Sequence, residues 1–195
     1  MTERLSSVER FRGAVITVRT DEVRLPSGSV VRRDVVAHPG AVGVVALDDE
    51  DRVALVEQWR QPVGARLWEL PAGLLDVAGE TARITAAREL MEEAGLTADD
   101  WSVLADTLSS PGMTDEATRI FLARRLRSVP RPPAENEEVD LDLRWVPLAD
   151  AARQVLSGEI RNAMACVGIL AAARVVAGHA EVRPPDAPWP DRPDR

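Results

Sequence analysis

The chain has 195 residues, of which 45% are hydrophobic, which suffices for the core of one domain or of one domain with a small appendage. Its formal net charge of −8 argues against a nucleic-acid backbone as the main ligand, because that backbone requires clustered Lys and Arg. The single cysteine, Cys166, excludes an internal disulfide and fits a cytoplasmic protein, in which we expect it to be a buried thiol.

The N-terminal third of the chain is dominated by strand-like patterns. This part of the chain has no hydrophobic signal segment, and no apolar run anywhere in the chain is long enough to span a membrane. We therefore expect neither a leader nor a membrane partner.

Residues 13–25 alternate in polarity and predict strands that turn at Thr20–Asp21. After the turn residues 26–28, residues 29–40 are again strand-like. We therefore predict a small β region over residues 1–40.

A strand pair follows this region. Residues 41–47 are continuously apolar, which predicts a strand buried on both faces. Residues 48–51 form a charged turn, and residues 52–62 are the predicted partner strand, which Pro62 ends. Several short strands followed by a helix, rather than alternating with helices, indicate an α+β layered fold.

Weaker patterns continue beyond residue 100. A proline-rich, acidic segment over 130–138 is expected to be mobile, and the tail from Arg183 has no periodicity and is expected to be disordered. Before the acidic segment we predict strands at 101–108 and 119–123 with a loop at 109–116. Between the acidic segment and the tail we predict a strand at 141–146 and helices at 147–156 and 160–176.

The most informative stretch is residues 73–96. From Thr81 to Ala94 it contains neither Gly nor Pro and is rich in residues that favour a helix. Ile84, Ala87, Met91 and Ala94 recur at helical spacing, and we expect them to face the core.

A second face of this helix is acidic. Glu89, Glu92 and Glu93 are three and four residues apart, so their side chains are neighbours and repel one another unless a positive charge lies between them. A hard divalent cation with oxygen ligands, such as Mg²⁺, is one candidate, and it would leave open positions for phosphate and water. A solvated acidic helix face is the alternative.

The stretch resembles the Nudix box: Gly, five residues, Glu, seven residues, then Arg-Glu-aliphatic-x-Glu-Glu-x-Gly-aliphatic. Glu80, Arg88 and Gly95 occupy the expected places, together with the three glutamates. The departure is the first gap, since six residues rather than five separate Gly73 from Glu80. We expect the extra residue to lie in a loop and to leave the helix spacing unchanged.

Motifs outside the box resemble the ADP-ribose pyrophosphatase branch of the family, of the actinobacterial type. Pro111 lies 16 residues after Gly95, and the resemblance extends from about residue 30 to about residue 175. It rests also on the segments 33–36, 38–42, 57–60 and 68–73. It implies a Nudix fold over residues 41–180, an α/β/α sandwich with a mixed sheet, preceded by the N-terminal β region and followed by a disordered tail over 183–195.

The resemblance also implies a reaction: hydrolysis of ADP-ribose to AMP and ribose 5-phosphate with Mg²⁺ or Mn²⁺. One alternative is the same chemistry on another nucleoside diphosphate sugar or a dinucleotide. Another is a non-catalytic Nudix module that senses ADP-ribose. The sensing alternative predicts loss of box glutamates, yet all of them are present.

Site residues are implied by the same resemblance. The Ala72 carbonyl, Glu89 and Glu93 would bind metal with help from Glu92, and Arg88 would orient these carboxylates by paired hydrogen bonds. The residues expected to contact substrate are Arg33, Arg60, Gly73, Leu74 and Met113. The general base is expected among Glu135, Glu137 and Glu138, although each of them alone also fits a solvated acidic loop. Arg33 likewise also fits plain surface charge.

The resemblance finally implies a homodimer. A lone hairpin with an apolar face is marginal in water, so the N-terminal strands need a partner. We expect residues 13–37 to cross to the second copy, where Arg33 would complete the substrate pocket.

Overall fold

The computed structural model describes residues 1–132 and 142–193. The chain forms two compact units. The first contains Met1–Gly40, Thr107–Thr118 and the chain from Pro190 onward, and the second contains Ala41–Asp106 and Arg119–Trp189. Residues 133–138 of the acidic segment predicted to be mobile lie outside the described residues.

The first unit holds an antiparallel three-stranded sheet. Its strands are β1 (Glu3–Arg12), β2 (Thr17–Arg24) and β3 (Val30–Ala37), with β2 in the centre. The predicted turn at Thr20–Asp21 is wrong, because β2 runs through both residues. Asp21 is 6% exposed and accepts a hydrogen bond from the Ser7 hydroxyl at 2.6 Å, so the neighbouring strand satisfies a carboxylate that otherwise favours a turn.

The second unit contains two sheets and three helices. The elements are β4 (Ala41–Ala46), β5 (Arg52–Arg60), β6 (Ala65–Glu69), β7 (Ala72–Leu74), α1 (Ala82–Ala94), β8 (Leu96–Leu108), β9 (Ala117–Ser128), β10 (Asp142–Pro147), α2 (Leu148–Ser157) and α3 (Ala163–Val176). One sheet has the order β10-β5-β6 and is antiparallel, and the other has the order β7-β4-β9-β8. The last part of β8 and the first two residues of β9 belong to the first unit.

Helices cover both faces of the sheet that contains β4. Val42 and Val44 belong to the hydrophobic cluster that includes Leu90 of α1, whereas Val45 belongs to the cluster that includes Ile169 of α3. Every residue of β4 is buried, so the prediction of a strand buried on both faces is confirmed. Strand and helix layers of this kind confirm the α+β class.

The predicted core face of α1 is wrong. Ala82, Ala86, Leu90 and Ala94, spaced by four residues, are buried, whereas Ile84 is 45% exposed. Of the four residues expected in the core, only Ala94 is buried. A stripe of small side chains lets the helix approach the sheet closely, and this packing outweighs the greater hydrophobicity of Ile84.

The tail also differs from its prediction. Arg183 forms an antiparallel bridge with Val103, and the buried Arg119 donates to the Ala187 carbonyl at 2.8 Å. The Arg119 guanidinium lies 4.8 Å from the centre of the Trp189 ring. The bridge to Val103 and the contacts with Arg119 hold residues 183–189 in place, whereas the sequence predicted disorder from Arg183 onward.

Two further predictions concern the burial of Cys166 and the presence of membrane-spanning helices. Cys166 on α3 is partly rather than fully buried, and burial raises the pKa of its thiol. None of the helices within residues 1–132 and 142–193 is long and apolar enough to cross a bilayer.

Candidate active site

The site is built on α1, whose two ends are set by local chemistry. Thr81 caps the first turn, since its hydroxyl accepts the Ile84 N–H at 3.3 Å. Gly95 ends the helix with φ +63°, a left-handed conformation that glycine adopts without strain. A Cβ on Gly95 would also lie 2.8 Å from Cγ of Arg131, so two independent constraints favour glycine here.

Arg88 lies among three carboxylates of the site. Its Nη1 donates to Glu89 at 2.7 Å and to Glu92 at 3.0 Å, and its Nη2 donates to Glu80 at 3.3 Å. Burial alone would lower the pKa of Arg88, but the attraction of Glu89 and the hydrogen bonds to all three glutamates raise it above the ordinary value. The guanidinium therefore stays charged and offsets the repulsion among the carboxylates.

Glu80 joins the cluster from the loop before the helix. The hydrogen bonds from Arg88 lower the pKa of Glu80 below its ordinary value, and the Thr85 hydroxyl donates to the same carboxylate at 3.0 Å. The turn that holds the extra residue of the first gap closes with a Glu80 N–H to Val77 carbonyl bond at 3.3 Å. As expected, the extra residue lies in a loop and not in the helix.

The other side of the cluster is formed by β7. Glu93 is 7% exposed, and its carboxylate accepts the Ala72 N–H at 2.9 Å. A Cβ on Gly73 would lie 2.0 Å from the carboxyl carbon of Glu89, so any side chain there would displace that carboxylate. Strand β7 thus lies directly against Glu89 and Glu93.

The oxygen atoms gathered here suit a hard divalent cation. Within the described parts of the chain, no group of three or more His, Cys, Asp or Glu side chains is arranged to hold a metal ion, and the carboxylates accept hydrogen bonds from Arg88 and Ala72. The donor types nevertheless fit, because carboxylate and backbone carbonyl oxygens are the ligands Mg²⁺ and Mn²⁺ prefer. The missing Cβ of Gly73 lets the Glu89 carboxylate lie directly against the backbone of β7.

The remaining predicted residues are distributed over both units. Arg60 ends β5 in the second unit and binds Glu69, and Leu74 lies on β7. Arg33 on β3 and Met113 lie in the first unit, and both are exposed. The three candidate bases, Glu135, Glu137 and Glu138, lie outside the described residues.

Sequence reasoning missed two members of this neighbourhood. Thr85 was not expected to bind Glu80, and Glu69 was not expected to be the partner of Arg60. Glu69 had a recognisable signal, since it is a single charge between the apolar residues Trp68 and Leu70. A charged side chain enclosed in this way is rarely buried without a partner.

A match to a family model agrees with this geometry. The model described as the NUDIX domain matches residues 37–165. The chain belongs to the Nudix family. The predicted family is therefore confirmed, and with it the class of Nudix pyrophosphohydrolases.

Relatives match over most of their own length. An ADP-ribose pyrophosphatase of Mycobacterium tuberculosis (strain ATCC 25618 / H37Rv) is 52% identical over 191 residues, which cover 98% of this chain and 92% of the relative. An ADP-ribose pyrophosphatase of Bacillus subtilis (strain 168) is 37% identical over 159 residues, 82% of this chain and 85% of the relative.

A solved structure supports the fold. It is titled "Crystal structure of ADP compounds hydrolase" and superposes with a TM-score of 0.75 at 22% identity, covering 92% of this chain and 96% of that chain. At this level of identity the likeness concerns the fold alone, and the predicted Nudix fold is confirmed.

Proposed function

We propose that this Nudix enzyme hydrolyses the pyrophosphate bond of ADP-ribose to AMP and ribose 5-phosphate, using Mg²⁺ or Mn²⁺. The observation that carries the proposal is the 52% identity, over nearly the whole chain, to a relative named ADP-ribose pyrophosphatase. The contacts of Arg88, Glu89 and Glu93 support it, because they hold carboxylate oxygens in one cluster. Such oxygens can bind the divalent cation that pyrophosphate hydrolysis requires.

The Ala72 carbonyl, Glu89 and Glu93 would hold the cation, with Glu92 beside them. When bound, a divalent cation neutralises phosphate oxygens and makes the phosphorus open to attack by water. Arg88 keeps the carboxylates in place through its bonds to Glu89 and Glu92. The Ala72 N–H fixes Glu93 from the side of β7.

Proton transfer requires a separate carboxylate. We assign it to one of Glu135, Glu137 and Glu138, which would accept a proton from the attacking water as general base. A carboxylate bound to a cation is a weak base, so a residue outside the cluster suits this role better than Glu89 or Glu93.

Substrate binding is assigned to the residues that the family resemblance implies. Arg60 and Arg33 would contact the phosphates or the adenine side of the substrate, and Leu74 and Met113 would form part of its wall. Gly73 would contact the substrate next to the Glu89 carboxylate, which lies where a Cβ on residue 73 would be.

We further propose a homodimer in which residues 13–37 cross to the second copy, where Arg33 would complete the substrate pocket. The sheet that contains this segment also exposes β1, all ten residues of which are exposed, including Phe11 at 58%. An open three-stranded sheet with exposed apolar side chains is a suitable surface for association.

The test of the proposed function is a substrate panel. Purified enzyme with Mg²⁺ is given ADP-ribose, another ADP-sugar, a UDP-sugar and a dinucleotide, and the nucleoside monophosphate and sugar phosphate products of each compound are quantified by chromatography. We expect ADP-ribose to give the highest kcat/KM, and removal of divalent cations with EDTA to abolish turnover. A higher kcat/KM for another compound would favour the first alternative, and tight binding of ADP-ribose without any product would favour a sensing module.

A further inference from the structure

The hairpin of β5 and β6 carries two ion pairs, one on each face. The Glu69 carboxylate accepts from Nε of Arg60 at 3.0 Å and from Nη2 at 2.7 Å. The Glu57 carboxylate accepts from Nε of Arg66 at 2.9 Å. Arg60 is three positions after Glu57 on β5, and Glu69 is three positions after Arg66 on β6. Because successive side chains of a strand point to opposite faces, the two pairs lie on opposite faces of the hairpin.

The Arg60–Glu69 pair lies on the face that is directed towards α1. Ala54 is an even number of residues before Arg60 on β5 and therefore shares its face. Ala54 belongs to the hydrophobic cluster that includes Leu90 of α1, whereas Leu55, on the other face, belongs to the α3 cluster. The pair is thus on the same side of the hairpin as the helix that carries the acidic cluster.

The two pairs differ in burial. The Glu69 side chain is 4% exposed and the Glu57 side chain 25%, although their arginine partners are equally exposed, at 39% and 38%. A buried carboxylate is costly unless hydrogen bonds compensate it, whereas an exposed pair contributes little. Glu69 is therefore a buried partner that holds a guanidinium which is itself 39% exposed.

We propose that Glu69 is a positioning residue for substrate binding. It holds Arg60 through Nε and Nη2, so that the guanidinium meets a phosphate oxygen of the diphosphate in a fixed orientation and little side-chain entropy is lost on binding. Glu69 is also joined by only two residues to Ala72, which binds Glu93. This inference rests on the proposed function, in which Arg60 contacts the substrate.

The first experiment compares Glu69→Gln with the matched control Glu57→Gln. Both changes keep the side-chain shape and remove one charge from the same hairpin. We expect Glu69→Gln to raise the Kd for ADP-ribose about tenfold, the effect of about 1.4 kcal/mol, by calorimetry on metal-free protein. KM should rise similarly with kcat within about twofold, because uniform binding is lost. The control should change neither constant by more than about twofold.

The second experiment asks whether Glu69 acts through Arg60. Arg60→Gln and the Arg60→Gln/Glu69→Gln double variant complete a double-mutant cycle. We expect the loss of Glu69 to add less than about twofold to the Kd once Arg60 is absent. A full tenfold effect in that background, or an equal loss in the Glu57→Gln control, would overturn the positioning role. Thermal unfolding of each variant shows that the compared proteins are folded.

The substrate assignment is judged separately. If the wild-type enzyme cleaves another nucleoside diphosphate compound but not ADP-ribose, the proposed function fails, and the same cycle measured with that compound still decides the role of Glu69. If the wild-type protein binds neither ADP-ribose nor ADP, the anion-binding role of Arg60 and Glu69 is overturned.

Discussion

Replacement of Glu93 by Gln is the sharpest test of the acidic cluster. Glu93 is 7% exposed, and its Oε2 accepts the Ala72 N–H at 2.9 Å. Gln has the same shape and keeps an oxygen for that N–H, so the contact between α1 and β7 should persist. The variant removes one negative charge from the proposed cation site and little else.

The expected effects on stability and activity are unequal. A hydrogen bond to a charged acceptor becomes a neutral one, which should cost about 1 kcal/mol of unfolding free energy. The cation contribution to catalysis is worth several kcal/mol, and a loss of about 2.7 kcal/mol already lowers kcat about 10²-fold. We therefore expect kcat to fall by at least about 10²-fold in a folded protein.

The measurement is AMP release from ADP-ribose at saturating Mg²⁺, with thermal unfolding followed by circular dichroism. Glu92→Gln is the comparison variant, since Glu92 lies next in the chain but is 26% exposed and bound to Arg88. We expect a loss of about tenfold or less for that variant, because its charge is already offset by Arg88. Near-normal turnover of Glu93→Gln would refute the assignment of Glu93 to the cation.

Three further predictions address the base, the assembly and the tail. Single Gln substitutions of the three candidate bases should yield one variant with low kcat but unchanged Mg²⁺ affinity, whereas full rates in all three would exclude a base among them. Light scattering at micromolar concentration should give about twice the chain mass. Deletion of residues 1–37 should abolish both the dimer and the activity, and a fully active monomer would contradict the proposed dimer. Burial alone would raise the pKa of Asp106, but hydrogen bonds from Arg119 and Arg183 lower it below the ordinary value. The charged carboxylate therefore stabilises the fold at pH values above its unfolded pKa of about 3.9. This stabilisation is lost as the pH falls through the lower folded pKa. Asp106→Asn should therefore unfold more easily than the wild type from about pH 5 to 7 in urea titrations, with the difference shrinking below about pH 4, and a constant difference would contradict the ion pair.

The linear order of residues was enough to predict several local features. The helix predicted from Thr81 to Ala94 is observed as α1, because an N-cap threonine and a following glycine act on backbone groups within one turn. The apolar run of β4 identified a strand covered on both faces. The box spacing identified the family, since side chains at helical intervals are neighbours in any fold that keeps the helix.

Only the tertiary structure decided which surfaces meet. The sequence carries two apolar stripes on α1, and the sheet selected the alanine stripe over Ile84 because small side chains allow closer packing. Asp21 looked like a turn residue until Ser7 of the adjacent strand satisfied it. The partnership of Arg60 with Glu69 depends on strand register, which places residues from two strands on one face and which no pattern within either strand encodes.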